Sequence, residues 1–329
     1  MNLIEMGDLT LPWCLRVVVT LHIAESMAAG ISAVDDLAAA AQCNSAALRG
    51  VLEFLVDRGL FDEPERGRFL LNPAAQELLE PAVRLGLDME GIGGRMAGAS
   101  GTMLTYVRTG APAYRQVFGL PFWEDLEAHP AIAASFDDLM GPMGHGPING
   151  DFEIACGWDS IHSVVDVGGG AGAMLASLLL IRPHLRGTLV DFPRSVARAA
   201  EAFRSAKVEN RVTAIGQSFF DPLPAGADLY LLRGVINNWD DPEATAILRR
   251  CAEAARPAGR VVILKSVGAE NARRGISIST LITGGKDRSV SEFSILANIS
   301  GLEVVASGLQ PSGYFVVECR PLRSTEAER

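Results

Sequence analysis

The sequence predicts an α/β fold, in which a mainly parallel sheet covered by helices follows a helical N-terminal domain. From about residue 160 onward, apolar segments of strand length alternate with helical patterns, which is typical of a parallel sheet buried on both faces. The first half of the chain lacks this alternation and is mostly helical in pattern. The last two strand segments lie close together in sequence, which indicates an antiparallel hairpin at one edge of the sheet.

Each element of the sheet is predicted from its own pattern. Apolar and β-branched runs bounded by turn residues predict the strands, and helical spacing of apolar residues predicts the helices. The predicted strands are residues 164–167, 188–190, 211–215, 228–232, 261–264, 302–306 and 314–319, and the predicted helices include 194–206 and 242–255.

The first strand leads directly into a run of glycines. Residues 164–172 read VVDVGGGAG, and a helical pattern begins at Met174. Glycine permits backbone angles that a side chain forbids, and it lets a ligand approach the main chain closely. Asp191 ends the next strand about 20 residues later, where a carboxylate can hydrogen-bond a ribose diol. Glycines and acid together predict a site for a ribose-bearing cofactor; a tight turn without a ligand is the alternative.

The order of acid and glycines distinguishes two kinds of cofactor. The dinucleotide fingerprint is Gly-x-Gly-x-x-Gly, whereas here Asp166 precedes Gly168 and Gly170 in the order Asp-x-Gly-x-Gly. This order resembles motif I of the class I methyltransferases that use S-adenosylmethionine (SAM). We therefore expect the glycine turn to face an amino-acid moiety rather than a pyrophosphate.

Composition excludes several classes of function. The chain has 329 residues, 48% of them hydrophobic, and a net charge of −10, which allows two domains and argues against nucleic acid as a partner. The five cysteines lie far apart without metal-ligand spacing, so we expect reduced thiols in the cytoplasm and no metal site. No apolar run reaches membrane length, and the N-terminus does not resemble a secretory signal.

The N-terminal domain is predicted as helices followed by a hairpin. An apolar stripe over residues 48–56 predicts a helix that Asn44 or Ser45 caps and Gly59 ends, and residues 60–71 predict the hairpin. This order suggests a winged helix, a domain that often binds DNA.

Two uses of this domain are open. A recognition helix should present several basic residues on one face, but Arg49 and Arg58 are offset here by neighbouring acids. The apolar first helix, over residues 11–23, favours a dimerisation module instead. The predicted domains are residues 1–85 for dimerisation, 86–160 as helical connector and substrate-pocket segment, 161–322 for cofactor binding, and a disordered tail at 323–329.

The connector is rich in glycine and methionine. Five glycines between residues 91 and 101 indicate close helix packing or a bend. We expect Trp123, Met140, Met143 and Asn149 to contribute to a wall for an irregular apolar ligand, because methionine adapts to such shapes. Ordinary core packing is the alternative for each methionine.

Three further blocks extend the resemblance to residues 10–320. They are RTGAPAY at 108–114 with FWEDL at 122–126, SFFDPLP at 218–224, and LLRGVINNWDD at 231–241 with ILRRC at 247–251. With the glycine turn, they resemble O-methyltransferase family 2, and especially the bacterial members that tailor polyketides and anthracyclines, including the 10-hydroxylase-like members. The resemblance implies a Rossmann-like class I methyltransferase sheet, a winged-helix dimerisation domain, a homodimer and SAM as cofactor.

The resemblance also implies residue roles. Gly168 and Gly170 would face the methionine part of SAM, and Asp191 would bind the ribose hydroxyls. The remaining implied cofactor residues are Asp166 at the glycine loop or the ammonium group, Phe219 against the adenine, Ser218 where the family usually has an acid, and Arg233.

The acceptor side departs from the family. Plant members carry His-Asp before the tryptophan of the third block, whereas here Asn237 and Asn238 precede Trp239, an expected pocket residue. An amide side chain cannot take a proton at neutral pH. The base is then either His145 or absent, since an acidic phenol mainly needs alignment. We expect Asn237 and Asn238 to position the acceptor.

Three functions follow from these observations. The leading hypothesis is SAM-dependent O-methylation of a phenolic hydroxyl on an aromatic, polyketide-type small molecule. The second is a non-methylating enzyme, a hydroxylase, decarboxylase or ring-forming cyclase that keeps SAM as an electrostatic element. The third is a dimeric ligand sensor. Residues 265–285 are shorter and more polar than in the family, so the acceptor is not identified.

Overall fold

The computed structural model describes residues 3–140 and 149–322, and they form two compact units. The N-terminal unit contains the residues up to Gly101 together with Glu124–Leu139. The sheet unit contains Thr102–Trp123 and the residues from Met140 onward.

The N-terminal unit is built of helices and one antiparallel hairpin. Its elements up to Gly101 are α1 (Leu3–Gly7), α2 (Thr10–Thr20), α3 (Ile23–Ala28), α4 (Val34–Ala40), α5 (Ser45–Asp57), β1 (Phe61–Glu65), β2 (Arg68–Leu71), α6 (Pro73–Gln76), α7 (Pro81–Leu87) and α8 (Ile92–Ser100).

Local signals explain the ends of these helices. The Asn44 side chain accepts a hydrogen bond from the Ala47 amide and caps α5, and Gly59 follows the helix in the left-handed region, so the predicted helix is confirmed. The predicted hairpin is confirmed as β1 pairing with β2. The predicted first helix over residues 11–23 was wrong at its end, because His22 is left-handed, with φ of 52°, and divides α2 from α3.

The glycines of α8 allow backbones to touch. A Cβ on Gly93 would lie 2.6 Å from the Asp88 carbonyl oxygen, and a Cβ on Gly94 would collide with the Met89 carbonyl. The close packing predicted for this glycine-rich segment is therefore confirmed.

The sheet unit begins with short helices and continues as alternating strands and helices. Four helices precede the sheet, α9 (Met103–Thr109), α10 (Tyr114–Phe118), α11 (Phe122–Ala128) and α12 (Pro130–Met140), the last two lying mostly in the N-terminal unit. The sheet region contains β3 (Ser163–Val167), α13 (Ala173–Ile181), β4 (Arg186–Asp191), α14 (Pro193–Ser205), β5 (Val212–Gly216), β6 (Leu229–Arg233), α15 (Asp241–Ala254), β7 (Arg260–Leu264), β8 (Val267–Gly268), α16 (Ile278–Thr283), β9 (Arg288–Ser289), α17 (Val290–Ile299), β10 (Leu302–Leu309) and β11 (Phe315–Pro321).

The seven-stranded sheet has the order β10-β11-β7-β6-β3-β4-β5. Strands β3 to β7 pair in parallel, whereas β11 pairs antiparallel with β7 and β10, so the predicted parallel sheet with an edge hairpin is confirmed. The chain runs from β3 outward through β4 and β5, and then returns to β6 on the other side. Ligands bind at such a switch point, beyond the carboxyl ends of the strands.

Both faces of the sheet are buried. Val164 packs in one apolar cluster and Val165 in the other, because successive side chains of a strand point to opposite faces. Burial on both sides explains why β3, β6 and β7 read as continuous apolar runs. The rigid sheet fixes where each strand ends, and these ends carry the candidate site.

Candidate functional site

The glycine turn and Asp191 meet at the carboxyl ends of β3 and β4. The Asp191 carboxylate accepts hydrogen bonds from the backbone amides of Gly170, at 2.8 Å, and of Phe192, at 2.7 Å. Gly168 and Gly170 have φ of +70° and +60°, angles that side chains rarely adopt. The predicted pairing of turn and acid is thus present in the structure.

Space around the two glycines differs. A Cβ on Gly168 would lie 2.8 Å from a methyl group of Val235, so this glycine lets the β6 loop approach the turn. A Cβ on Gly170 would meet nothing within 4 Å, so the turn faces open space at this residue. The turn is therefore a half-buried backbone cradle bounded by Asp191 on one side and the β6 loop on the other.

Asp166 is a buried carboxylate beneath this cradle. A Cβ on Gly169 would collide with its carboxyl group, and neither carboxylate oxygen makes a hydrogen bond of normal geometry to a described residue. Burial, reinforced by the charge of Asp191 and opposed by that of Arg233, raises the pKa of Asp166 to about 7. Burial likewise raises the pKa of Asp191, against the effect of its two amide hydrogen bonds. A positively charged group nearby would stabilise the ionised forms of Asp166 and Asp191.

Two cations lie at the ends of β6 and β7. The guanidinium of Arg233 and the ammonium of Lys265 lie 5.9 and 5.7 Å from the centroid of the Tyr314 ring. Burial, with the nearby charge of Arg233, lowers the pKa of Lys265. The Tyr314 hydroxyl accepts a hydrogen bond of 3.2 Å from the Asn149 amide.

An aromatic row runs from Asp191 toward the β6 loop. We define it as Phe192, Phe219, Trp239 and Trp123, whose successive ring centroids lie 5.6, 6.2 and 5.8 Å apart. Trp123 and Trp239 are stacked with an interplanar angle of 25°, so the two predicted pocket tryptophans come together. The row offers flat apolar surface beside the cradle.

The two predicted asparagines lie in a 3-10 turn after β6, residues Ile236–Asn238. The Asn237 side-chain oxygen lies 3.0 Å from the Ser266 hydroxyl, and the Asn238 amide nitrogen donates to the Gly234 carbonyl at 2.9 Å. A Cβ on Gly285 would collide with the Asn237 carbonyl, so the chain at Gly285 packs directly on this turn.

Arg288, which the sequence did not single out, clamps the same turn. It is buried, and its guanidinium donates to the carbonyls of Ile236, at 3.1 Å, and Trp239, at 2.9 Å. It also donates to the Asp241 carboxylate at 2.8 Å. No local sequence pattern marks Arg288, because its partners lie 47 to 52 residues away in the chain.

Other predicted residues have different surroundings. Ser218 accepts a hydrogen bond from the Phe220 amide at 3.2 Å, which closes a turn, and Met140 is half-buried at the end of α12. Asn149 is exposed, and its side chain accepts from the Asp151 amide at 2.8 Å. Met143 and His145 lie outside the described residues.

Residues 3–140 and 149–322 contain neither a cluster suited to a metal ion nor a helix suited to a membrane. No group of three or more His, Cys, Asp or Glu residues there is arranged to hold a metal ion. Within the same ranges, no helix combines the length and apolar character that crossing a membrane requires.

Comparisons with known proteins agree with this geometry. Residues 102–303 match the O-methyltransferase domain family. The chain is 37% identical to 2,7-dihydroxy-5-methyl-1-naphthoate 7-O-methyltransferase of Streptomyces carzinostaticus, covering 92% of both. It is 36% identical to aclacinomycin 10-hydroxylase RdmB of Streptomyces purpurascens, covering 92% of this chain and 84% of that protein.

A solved structure extends the match to three dimensions. It is the O-methyltransferase NcsB1 from neocarzinostatin biosynthesis, in complex with SAM and 2-hydroxy-5-methyl naphthoic acid. The two chains are 35% identical and align with a TM-score of 0.84 over 98% of this chain and 99% of that one. The chain therefore belongs to the O-methyltransferase family, SAM-dependent enzymes whose sheet has the class I methyltransferase fold.

Proposed function

We propose that this enzyme transfers the methyl group of SAM to a phenolic hydroxyl of an aromatic, polyketide-type small molecule in natural-product biosynthesis. The observation that carries the proposal is the cradle of Gly168 and Gly170, in which the Gly170 amide donates to Asp191, beside a row of aromatic rings. Relatives named for naphthoate methylation support the aromatic acceptor.

The residues present fit SAM. Open space at Gly170 accommodates a ligand against the backbone, and the buried carboxylate of Asp166 suits a neighbouring cation such as an ammonium group. Asp191 would bind the ribose hydroxyls, and Phe219 and Ser218 would border the adenine. When bound, SAM supplies a methyl group made electrophilic by its sulfonium charge.

The chain's own residues would align the acceptor. The stacked Trp123 and Trp239 give an aromatic ring a flat surface, and Arg233 contributes positive charge at the end of β6. Asn237, Asn238 and His145 remain our candidates on the acceptor side, with Met140, Met143 and Asn149 as further pocket residues. Alignment of acceptor oxygen and methyl group accounts for most of the rate when no base acts.

We also propose that the protein is a cytoplasmic homodimer. The first helices expose large apolar side chains, including Leu3, Met6, Leu9 and Trp13, which suits a dimer interface in a winged-helix-type domain. All five cysteines are free, which supports a reducing compartment. The domain limits 1–85, 86–160 and 161–322, with a tail at 323–329, belong to the same proposal.

The test is a transfer assay. The protein is incubated with methyl-labelled SAM and a panel of hydroxynaphthoates and anthraquinone phenols, and labelled methyl ether is measured. Asp191→Asn should abolish turnover and SAM binding. Asp228→Asn is the matched control, because Asp228 accepts from the amides of His162 and Ser163 at the opposite end of the sheet, each at 2.9 Å.

The same assay tests the second function, which the 36% identity to a 10-hydroxylase favours. Conversion of an acceptor with SAM left intact would replace our proposal with non-methylating chemistry. Equal loss of activity in both aspartate variants would contradict the assignment of Asp191.

A further inference from the structure

Ser266 fixes which way the Asn237 amide faces. Ser266 is buried just after β7, and its hydroxyl oxygen lies 3.0 Å from the Asn237 side-chain oxygen and 3.4 Å from the Leu264 carbonyl. A hydroxyl has a single hydrogen, and the shorter distance is the stronger hydrogen bond. The Asn237 oxygen is therefore already engaged, and its amide N–H groups are left to donate.

Asn238 has the opposite arrangement. Its amide nitrogen donates to the Gly234 carbonyl at 2.9 Å and so closes the 3-10 turn. Among the residues that the structure describes, no acceptor engages the N–H groups of Asn237. Asn237 thus has both of its N–H groups available to a ligand, whereas Asn238 already uses one of its two.

The turn is held rigidly in this orientation. Arg288 binds the carbonyls of Ile236 and Trp239 on either side of the two asparagines, and the backbone at Gly285 packs on Asn237 itself. The donor is therefore set before a ligand arrives, which avoids the entropy cost of ordering it on binding.

The loop that carries the donor borders the cofactor cradle. The same loop brings Val235 against Gly168, and Trp239 belongs to the aromatic row. Asn237 therefore lies in a loop that touches the glycine turn through Val235 and the aromatic row through Trp239.

The charged groups around the turn make poor bases. A hydrogen bond from Lys286 holds the pKa of Asp240 below its usual range. Burial acts to raise the pKa of Asp241, but hydrogen bonds from Lys286 and Arg288 outweigh burial and lower it. Asp287 is exposed in the same loop. On the strands that carry the turn and Ser266, the charged neighbours are the cations Arg233 and Lys265.

We propose that Asn237, oriented by Ser266, binds the acceptor as its phenolate, and that the enzyme selects phenols acidic enough to ionise near neutral pH. An N–H donor stabilises an anionic oxygen but cannot accept a proton. This inference rests on the proposed methyl transfer and specifies its substrate.

The step then balances without a protein base. The phenol loses its proton to water before it binds. A lone pair of the phenolate oxygen forms the new O–CH₃ bond while the S–CH₃ bond breaks and its electrons return to sulfur. The products are a neutral methyl ether and a neutral thioether, so no group of the protein has to take up charge.

The test is the pH dependence of kcat/KM for the full-length enzyme with SAM. Two phenolic acceptors of similar size are compared, with phenol pKa values about two units apart. We expect the acidic limb of the profile to move by the same two units, because it reports the ionisation of the free acceptor. SAM is kept at saturating concentration, so that titration of Asp166 in the empty cofactor site does not enter the profile. A limb at the same pH for both acceptors would then mean a protein base and would overturn the inference while methylation stands. Absence of methylated product from every acceptor would instead remove the proposed function.

Variants separate the donor from a merely structural role. Asn237→Asp replaces the donor by an anion, and we expect kcat/KM to fall about 10- to 100-fold, the range for losing a hydrogen bond to a charged group. Ser266→Ala should reduce the preference for the more acidic acceptor at pH 6.5, and Ser266→Thr should restore it. Asn298→Asp, at an exposed position on α17, is the matched control and should change neither kcat/KM nor the position of the acidic limb.

S-adenosylhomocysteine (SAH) binding, measured by calorimetry, reports whether each variant keeps its cofactor site. We expect the dissociation constant for SAH to be unchanged in Asn237→Asp and Ser266→Ala. If Ser266→Ala kept the wild-type preference between the two acceptors, Ser266 would have no part in orienting Asn237.

Discussion

Asp166 is a buried carboxyl group of the site, and burial changes its ionisation. It is fully buried and its pKa is raised to about 7, whereas an aspartate in the unfolded chain ionises near pH 3.9. The folded state therefore holds an extra proton between about pH 4 and pH 7, and stability falls as pH rises through this window.

Asp166→Asn tests this linkage. The amide has the same shape and no charge, so its stability should not fall as pH rises. The free energy of unfolding of the variant relative to the wild type should therefore increase by about 2 to 3 kcal/mol from pH 5 to pH 8. Thermal unfolding of both proteins at the two pH values, without ligand, measures the difference. Parallel pH curves for the two proteins would show that folding does not raise the pKa of Asp166.

Gly170 allows a matched pair of glycine substitutions. Gly170 and Gly226 have φ of +60° and +84°, and a Cβ on either would meet nothing within 4 Å, so alanine should strain both to a similar degree, about 1 kcal/mol. Gly226 precedes β6, at the opposite end of the sheet from Gly170. We expect Gly170→Ala to weaken SAH binding at least 10-fold in calorimetry and Gly226→Ala to leave it intact. Equal affinities would place the cofactor elsewhere.

At the scale of elements, Arg288 links two segments. It lies in β9, directly before α17, and its guanidinium binds the turn after β6. Removing the guanidinium takes one donor from each of two carbonyls and from the Asp241 carboxylate, which keeps its hydrogen bond from Lys286. Unsatisfied buried polar groups are costly, so this single side chain helps to hold the shape of the turn after β6.

Arg288→Ala should lower the free energy of unfolding by about 2 to 4 kcal/mol, and kcat should fall more than SAH affinity. Denaturant unfolding and single-turnover kinetics provide the two measurements. Arg204→Ala, which removes an exposed ion pair with Glu201, is the control and should cost less than about 0.5 kcal/mol. If the two variants behaved alike, the clamp would have no energetic role.

Elements and site were predictable to different degrees. The strands were predicted because burial on both faces requires apolar runs, and the contact of Asp191 with Gly170 followed because adjacent parallel strands end together. Ser266 and Arg288 were not predictable, because their partners lie 29 and 52 residues away and depend on how separate loops pack. The break at His22 was missed because the apolar spacing continues across it.

At the scale of the whole molecule, the exposed apolar side chains of the N-terminal unit lead to a prediction about assembly. Leu9 and Trp13 are 63% and 43% exposed, although the unit has a well-packed core of its own. In a single copy this apolar surface is in contact with water, and pairing with a second copy would bury it.

Light scattering should give about twice the mass of the 35.0 kDa chain for the wild type. The double variant Leu9→Glu/Trp13→Glu should have the mass of one chain, because charged side chains oppose burial of the surface. Leu309→Glu, at an exposed position on the sheet unit, is the control and should keep the wild-type mass. A monomeric wild type would contradict the proposed homodimer.

The bare backbone at Gly285 has a consequence for how acceptor preference can change. Because no side chain fits between this residue and the Asn237 carbonyl, the two loops cannot diverge independently during evolution or in the laboratory. A chimera that imports residues 276–289 from a relative should retain activity only when the host's 234–241 stretch is exchanged along with it.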